Sequence, residues 1–147
     1  VERRAGGGGG GGMRGRTNHF HPQAPDQLGE FQALDLRTGE TLWRQRLRVP
    51  YNTSALTTGG GLVFIGDWGR HVFAYDVRNG EPLWQSRLST MANGFPITYA
   101  ADGKQFVAFV AGPSIGGSSW ATILPADLIP EEHNPRGGSG VFVFALP

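Results

Sequence analysis

From Glu30 onward the chain alternates between apolar and polar residues in short runs separated by Gly, Asn, Asp and Pro. That period of two is the mark of strands with one face turned to a core. It predicts strands over residues 30–35, 41–48, 54–58, 61–66, 71–76, 81–88, 95–100, 105–111 and 141–145. No helical period of useful length appears; the short patch Ala126 to Ile129, bracketed by prolines, is the one candidate. Residues 1–29 show neither period and contain the unbroken run Gly6 to Gly12, so they read as a Gly-rich linker or loop, poorly ordered, ahead of a folded part at 30–147.

The strands repeat. Ala33-Leu34-Asp35-Leu36-Arg37-Thr38-Gly39-Glu40-Thr41-Leu42-Trp43 aligns with Ala74-Tyr75-Asp76-Val77-Arg78-Asn79-Gly80-Glu81-Pro82-Leu83-Trp84 at an offset of 41 residues. This is the length of a four-stranded propeller blade. Each copy is a strand ending in Asp, a tight turn, and a strand carrying Trp. The Asp can accept from turn amides, the Gly takes a positive φ that a Cβ would resist, and the Trp has a large ring to bury between sheets. On this frame the chain holds the outer half of one blade, a whole second blade, and a third without its outermost strand. Blades bury their faces against neighbours, so two to three of them leave faces and edges open. The expectation is therefore the C-terminal part of a longer propeller, whose N-terminal region supplies the missing outer strand. The opening Val-Glu-Arg-Arg, with no initiator Met and no apolar leader, is read as the loss of the true start by processing or truncation.

Composition narrows the function classes. Of 147 residues 24 are glycine, seven in the one run and the rest at turn-like places. Thirteen Lys and Arg against twelve Asp and Glu leave a formal charge of +1, so no basic field points to nucleic acid or an anionic membrane. Apolar runs such as Phe106 to Ala111 are far shorter than the ~20 residues of a membrane-spanning helix. With no cysteine there is neither a disulfide framework nor a thiol nucleophile.

Successive connections in an antiparallel blade alternate between its two ends. Short turns at Gly59-Gly60, Ala101 to Lys104, Arg37 to Glu40 and Arg78 to Glu81 share one end. The links Val49 to Thr53, Asp67 to Arg70 and Ser89 to Gly94, with the long segment Gly112 to Gly140, share the other, where a site is expected. Asp67-Trp68 reads as a turn carboxylate and a partly buried rim aromatic, with ligand stacking by Trp68 as the alternative. His71 reads as a satisfied strand-end group and Glu131-Glu132-His133 as solvated loop. His19 and His21 lack a third metal ligand. Arg44, Arg46 and Arg48 form an outer solvated stripe. Neither a phosphate loop nor a Ser, His and Asp grouping is present. The residues alone name no reaction.

The repeated Ala-x-Asp-x-x-Thr/Asn-Gly-x-x-x-Trp resembles the tryptophan-docking motif of the eight-bladed quinoprotein dehydrogenases. Leu56-Thr57-Thr58-Gly59-Gly60-Gly61-Leu62-Val63-Phe64-Ile65-Gly66-Asp67, Gly94-Phe95-Pro96-Ile97-Thr98-Tyr99, Asp102-Gly103-Lys104-Gln105-Phe106-Val107-Ala108 and the ending Gly140 to Pro147 resemble the last blades of that family. The resemblance covers about residues 30–147. It implies an all-β fold, the C-terminal blades of an eight-bladed β-propeller, in a periplasmic oxidoreductase that takes two electrons and two protons from an alcohol or aldose. The implied cofactors are pyrroloquinoline quinone near the propeller axis and calcium or a related ion; the metal ligands and the catalytic carboxylate come from earlier blades. A quinone or cytochrome is the implied electron acceptor, and the remaining blades of the same chain are implied partners. What this stretch would give is wall residues of the cofactor pocket, in the loops Tyr51-Asn52-Thr53 and Gly112 to Trp120. Asn52, Thr53, Ser114, Gly116 and Gly117 are the expected contacts, Asn52 through its amide to a quinone oxygen and the two glycines by close backbone approach. Several alcohol dehydrogenases carry Trp near the place of Asn52, and a sugar-oxidising branch carries His in the second loop. Neither stands here, so alcohol and aldose both remain open. The isolated stretch is expected to be inactive. The alternative is a non-catalytic scaffold propeller resembling the lipoprotein of the outer-membrane barrel assembly machinery.

Overall fold

The computed structural model describes residues 2–4, 17–19, 21–112 and 138–145, and every regular element among them is a strand. β1 (Glu2–Arg4) and β2 (Thr17–His19) pair with each other, Glu2 opposite His19. This short ladder lies inside the stretch expected to be linker, where the sequence carries no period. The rest is three sheets in chain order. The first holds β3 (Gly29–Leu34) and β4 (Thr41–Leu47); the second holds β5 (Leu56–Thr57), β6 (Leu62–Gly66), β7 (His71–Asp76) and β8 (Pro82–Arg87), neighbours in that order. The third holds β9 (Ala92–Ala101), β10 (Lys104–Ala111) and β11 (Gly140–Ala145), again in sequence order and antiparallel throughout. Half a blade, a full blade and three strands of a third are the units that the repeat predicts.

The two copies of the repeat fold alike down to single hydrogen bonds. Asp35 Oδ1 accepts from the Arg37 amide at 2.8 Å, and Asp76 Oδ1 from the Arg78 amide at 2.8 Å. Gly39 N donates to Asp35 O at 2.7 Å and Gly80 N to Asp76 O at 2.8 Å, with Gly39 at φ 74° and Gly80 at φ 73°. The register also slips at equivalent places, between Ala33 and Leu34 and between Ala74 and Tyr75. An Asp turn and a bulge are thus encoded together in the eleven-residue repeat.

Packing explains why the middle blade breaks strict alternation. In β6 and β7 the residues Val63, Ile65, Phe73 and Tyr75 join Trp43 in one buried cluster against Phe31, Ala33 and Leu47 of the first blade. Their neighbours Phe64, Val72 and Ala74 join Val107, Phe109 and Ala111 of the third blade in another. Both faces are covered, so nearly the whole of both strands is buried and apolar. Trp43 is the lock of the first interface. Its Nε1 donates to Val77 O at 2.9 Å, and its ring lies against Gly80, where a Cβ would come within 2.6 Å of Cε3. Trp84, one repeat on, meets Phe144 of β11 edge to face at 4.9 Å.

Two strands differ from the expected bounds by more than one residue at an end. β5 has only two residues because Ser54 N is taken by Gly94 O of the third blade, at 3.1 Å, instead of joining its own sheet. β9 begins at Ala92, three residues early, because a bulge opposite Ala108 to Val110 lets Ala92 and Asn93 rejoin β10 opposite Ala111 and Val110. Arg44 and Arg46 lie on the outer face as expected, paired with Glu30 at 3.3 and 2.7 Å.

Candidate functional site

One end of the blades is stitched together by its links. Leu88 N donates to Arg70 O at 2.7 Å, Trp68 N to Pro50 O at 3.0 Å, and Gly112 N to Met91 O at 3.1 Å. Asn52 N and Thr53 N both donate to Gly66 O, at 2.9 and 3.3 Å. These bonds gather the β4–β5 link, the β6–β7 turn, the β8–β9 link and the exit of β10 on the loop-rich end. Thr90, Met91 and Ala92 are buried there, and Gly66 is needed for closeness: a Cβ on it would come within 2.6 Å of Ala92 Cβ.

Asn52 is the hinge pin of this end. Its Nδ2 donates to Ala92 O at 2.6 Å and to Asn93 Oδ1 at 2.7 Å, while Asn93 Nδ2 donates to Gly112 O at 2.6 Å. Ala92 O and Gly112 O are carbonyls and can only accept, so both carboxamides have one permitted orientation. Both hydrogens of the Asn52 amide are directed to Ala92 and Asn93 of the third blade. Thr53 Oγ1 accepts from Gly66 N at 2.8 Å and donates to Ser54 O at 2.9 Å, so it too is engaged with backbone. Ser114, Gly116 and Gly117 lie outside the described residues.

A second polar group sits beneath the same links. Asp67, 3% exposed, accepts from the His71 amide at 2.7 Å, and His71 Nδ1 lies 3.4 Å from its other oxygen. Burial pushes the Asp67 carboxyl up from its ordinary value, against the pull of the His71 backbone amide and imidazole. Trp68 is partly buried, as a rim aromatic would be. The Tyr51 and Tyr75 hydroxyls meet at 3.1 Å, and burial, with Asp67 adding repulsion, raises both phenols. Among the described residues no three His, Asp or Glu side chains gather into a metal centre.

Asn93 and the Tyr51–Tyr75 pair were not legible as site residues from local pattern. For Asn93 a signal existed: it stands one repeat after Asn52, and the bond between them spans 41 residues.

The family described as PQQ: Glucose/ethanol/alcohol dehydrogenase, beta-propeller domain, matches residues 28–107. The quinoprotein alcohol dehydrogenase PedH of Pseudomonas putida is 30% identical over 129 residues, which are 86% of this chain and 20% of that protein. The 1-butanol dehydrogenase (quinone) of Thauera butanivorans is 31% identical over 122 residues, 83% of this chain and 19% of that one. A europium-containing methanol dehydrogenase superposes with a TM-score of 0.68 at 30% identity, over 82% of this chain and 24% of that structure. The chain therefore spans about a fifth of the length of these two curated relatives.

Proposed function

The chain belongs to the PQQ-dependent glucose, ethanol and alcohol dehydrogenase β-propeller family, and from that premise we propose that the whole protein oxidises an alcohol with pyrroloquinoline quinone as its first electron acceptor. Alcohol is favoured over aldose because the quinoprotein relatives at about 30% identity are named for alcohols. When bound, the quinone supplies a two-electron, two-proton acceptor, and calcium or a lanthanide supplies a Lewis acid at its carbonyl. The alcohol loses two electrons and two protons to become the aldehyde, and a quinone or cytochrome takes the electrons on in a periplasmic setting.

The observation that carries this reading is the conjunction of family membership with a loop end that is tied together, buried and polar. In this stretch the chain's own residues build the wall. Asn52 donates to Ala92 O and Asn93 Oδ1 and Thr53 to Ser54 O, which fixes the β4–β5 link as a rigid ledge. The remaining blades of the same protein are proposed to pack on the open faces of the first and third sheets.

The test is reconstitution of the full-length protein with pyrroloquinoline quinone and calcium, and separately with a lanthanide, followed by dye reduction with primary alcohols and aldoses. Alcohol-dependent reduction that needs both quinone and metal is expected. No quinone uptake and no reduction by any alcohol would reject the proposal, and reduction by aldoses alone would reject its substrate.

A further inference from the structure

The interface between the first and second blades sets two phenols against each other. Tyr51 stands in the β4–β5 link at the loop-rich end, and Tyr75 stands next to last in β7. Their hydroxyls meet at 3.1 Å, where either can donate. The two differ in access: Tyr75 is 2% exposed, while Tyr51 is partly exposed. Phenylalanine rings wall the inner phenol, Phe73 stacked at 5.7 Å between centroids and Phe31 tilted at 6.2 Å; the same two rings flank Tyr51, at 6.3 and 5.6 Å. Burial holds both phenols above the ordinary tyrosine range, so both are protonated at neutral pH. A neutral phenol in an apolar wall gives up an electron readily only if its proton leaves too, because an unpaired cation there is costly. The facing hydroxyls offer that proton a path. Tyr99, the third tyrosine of the chain, lies elsewhere: it stacks on Phe106 in the third blade and is 43% exposed.

We infer that Tyr51 and Tyr75 are a redox-active pair that takes up one-electron oxidising equivalents at the loop-rich end and stores them as a radical on Tyr75. The oxidant is of the peroxyl-radical or metal(III)-complex class. It takes one electron from Tyr51, and the phenolic proton passes to water on the exposed side of that ring, which leaves a neutral tyrosyl radical. A hydrogen atom then crosses the 3.1 Å contact. The Tyr75 O–H bond breaks, the Tyr51 O–H bond re-forms, and the unpaired electron ends on Tyr75 with no charge created inside the protein. There Phe31 and Phe73 screen the radical from water and from a second radical, and neither is oxidised as easily as a phenol. The value of such a sink beside a quinone site rests on the alcohol dehydrogenase reading; its chemistry does not.

The test uses the full-length protein without added quinone, a photogenerated ruthenium(III) polypyridyl complex as the oxidant, and electron paramagnetic resonance as the readout. A long-lived tyrosyl signal is expected in the native protein. Tyr75→Phe, which removes the storing hydroxyl, and Tyr51→Phe, which removes the entry, should each abolish the long-lived component, and Tyr99→Phe should keep it. Each change deletes a single oxygen, and melting temperatures check that the variants are folded. Independently of any variant, the native signal should grow more slowly in deuterated water, since a hydrogen atom moves in forming it. A long-lived signal that survives in Tyr75→Phe, native growth unaltered by deuterium, or a native protein with no long-lived tyrosyl signal would each overturn the inference. Because the oxidant is supplied from outside, failure of quinone uptake or of alcohol turnover would reject the function proposed above and leave the radical chemistry of the pair standing. Alcohol turnover in a protein whose tyrosyl signal is unmoved by both the Tyr51 and Tyr75 changes would reject this inference alone.

Discussion

The Asp76 carboxylate ends a strand and starts a turn with the same group. Arg78 binds it through side chain and backbone, at 2.6 Å for the guanidinium and 2.8 Å for the amide, and holds its pKa down at about 2. A carboxyl depressed in the folded state adds stability above its unfolded value, near ~4, and loses it as pH falls through the folded value. The melting temperature of the full protein should therefore drop between about pH 4 and pH 2. Asp76→Asn, whose amide oxygen still accepts from the Arg78 N–H, should flatten part of that drop; a native and a variant acid limb that run parallel would refute it. Asp67 has the opposite sign. Burial raises its pKa, so its share of stability is present at low pH and is lost once pH climbs through the folded value.

Between elements, the docking of Trp43 on Gly80 makes a comparison available within one molecule. Gly39 and Gly80 have the same turn and nearly the same φ, but a Cβ at Gly39 would meet nothing within 4 Å, while one at Gly80 would strike the Trp43 ring. Gly39→Ala pays only left-handed strain, ~1–2 kcal/mol. Gly80→Ala pays that strain and must also displace the indole and its hydrogen bond to Val77 O, so it should lower the unfolding midpoint at least twice as far. Equal losses would show that the indole does not hold the blades together. The sequence made this interface legible because Asp, Gly and Trp recur with fixed spacing and each has one physical task. It made the bounds of β5 and β9 less legible, since Ser54 is claimed by Gly94 forty residues away and the β9 bulge depends on what β10 presents. The Tyr51–Tyr75 pair likewise joins a link to a strand far along the chain with no period to announce it, whereas the Asn52–Asn93 bond spans one repeat and only that offset points to it.

At the scale of the whole molecule the two outer sheets face different fates. The first sheet shows Glu30, Arg44 and Arg46 as ion pairs, together with Leu36, 96% exposed, at the position whose counterpart Val77 receives the Trp43 indole. The third sheet shows Ile97, Tyr99, Val141 and Val143, the last two 66% and 48% exposed, on the face away from the core. An apolar sheet face of this kind is what neighbouring blades cover in a closed ring. We propose that the catalytic end is where the links Val49 to Thr53 and Ser89 to Gly94 meet Gly112, with the Asp35, Asp76 and Asp102 turns at the other end. The location of the bound quinone in a structure of the full-length protein tests this most directly. The quinone is expected at the end that carries Asn52, on the axis side of β5 and β9; a quinone bound beside the Gly39 and Gly80 turns would contradict the proposal.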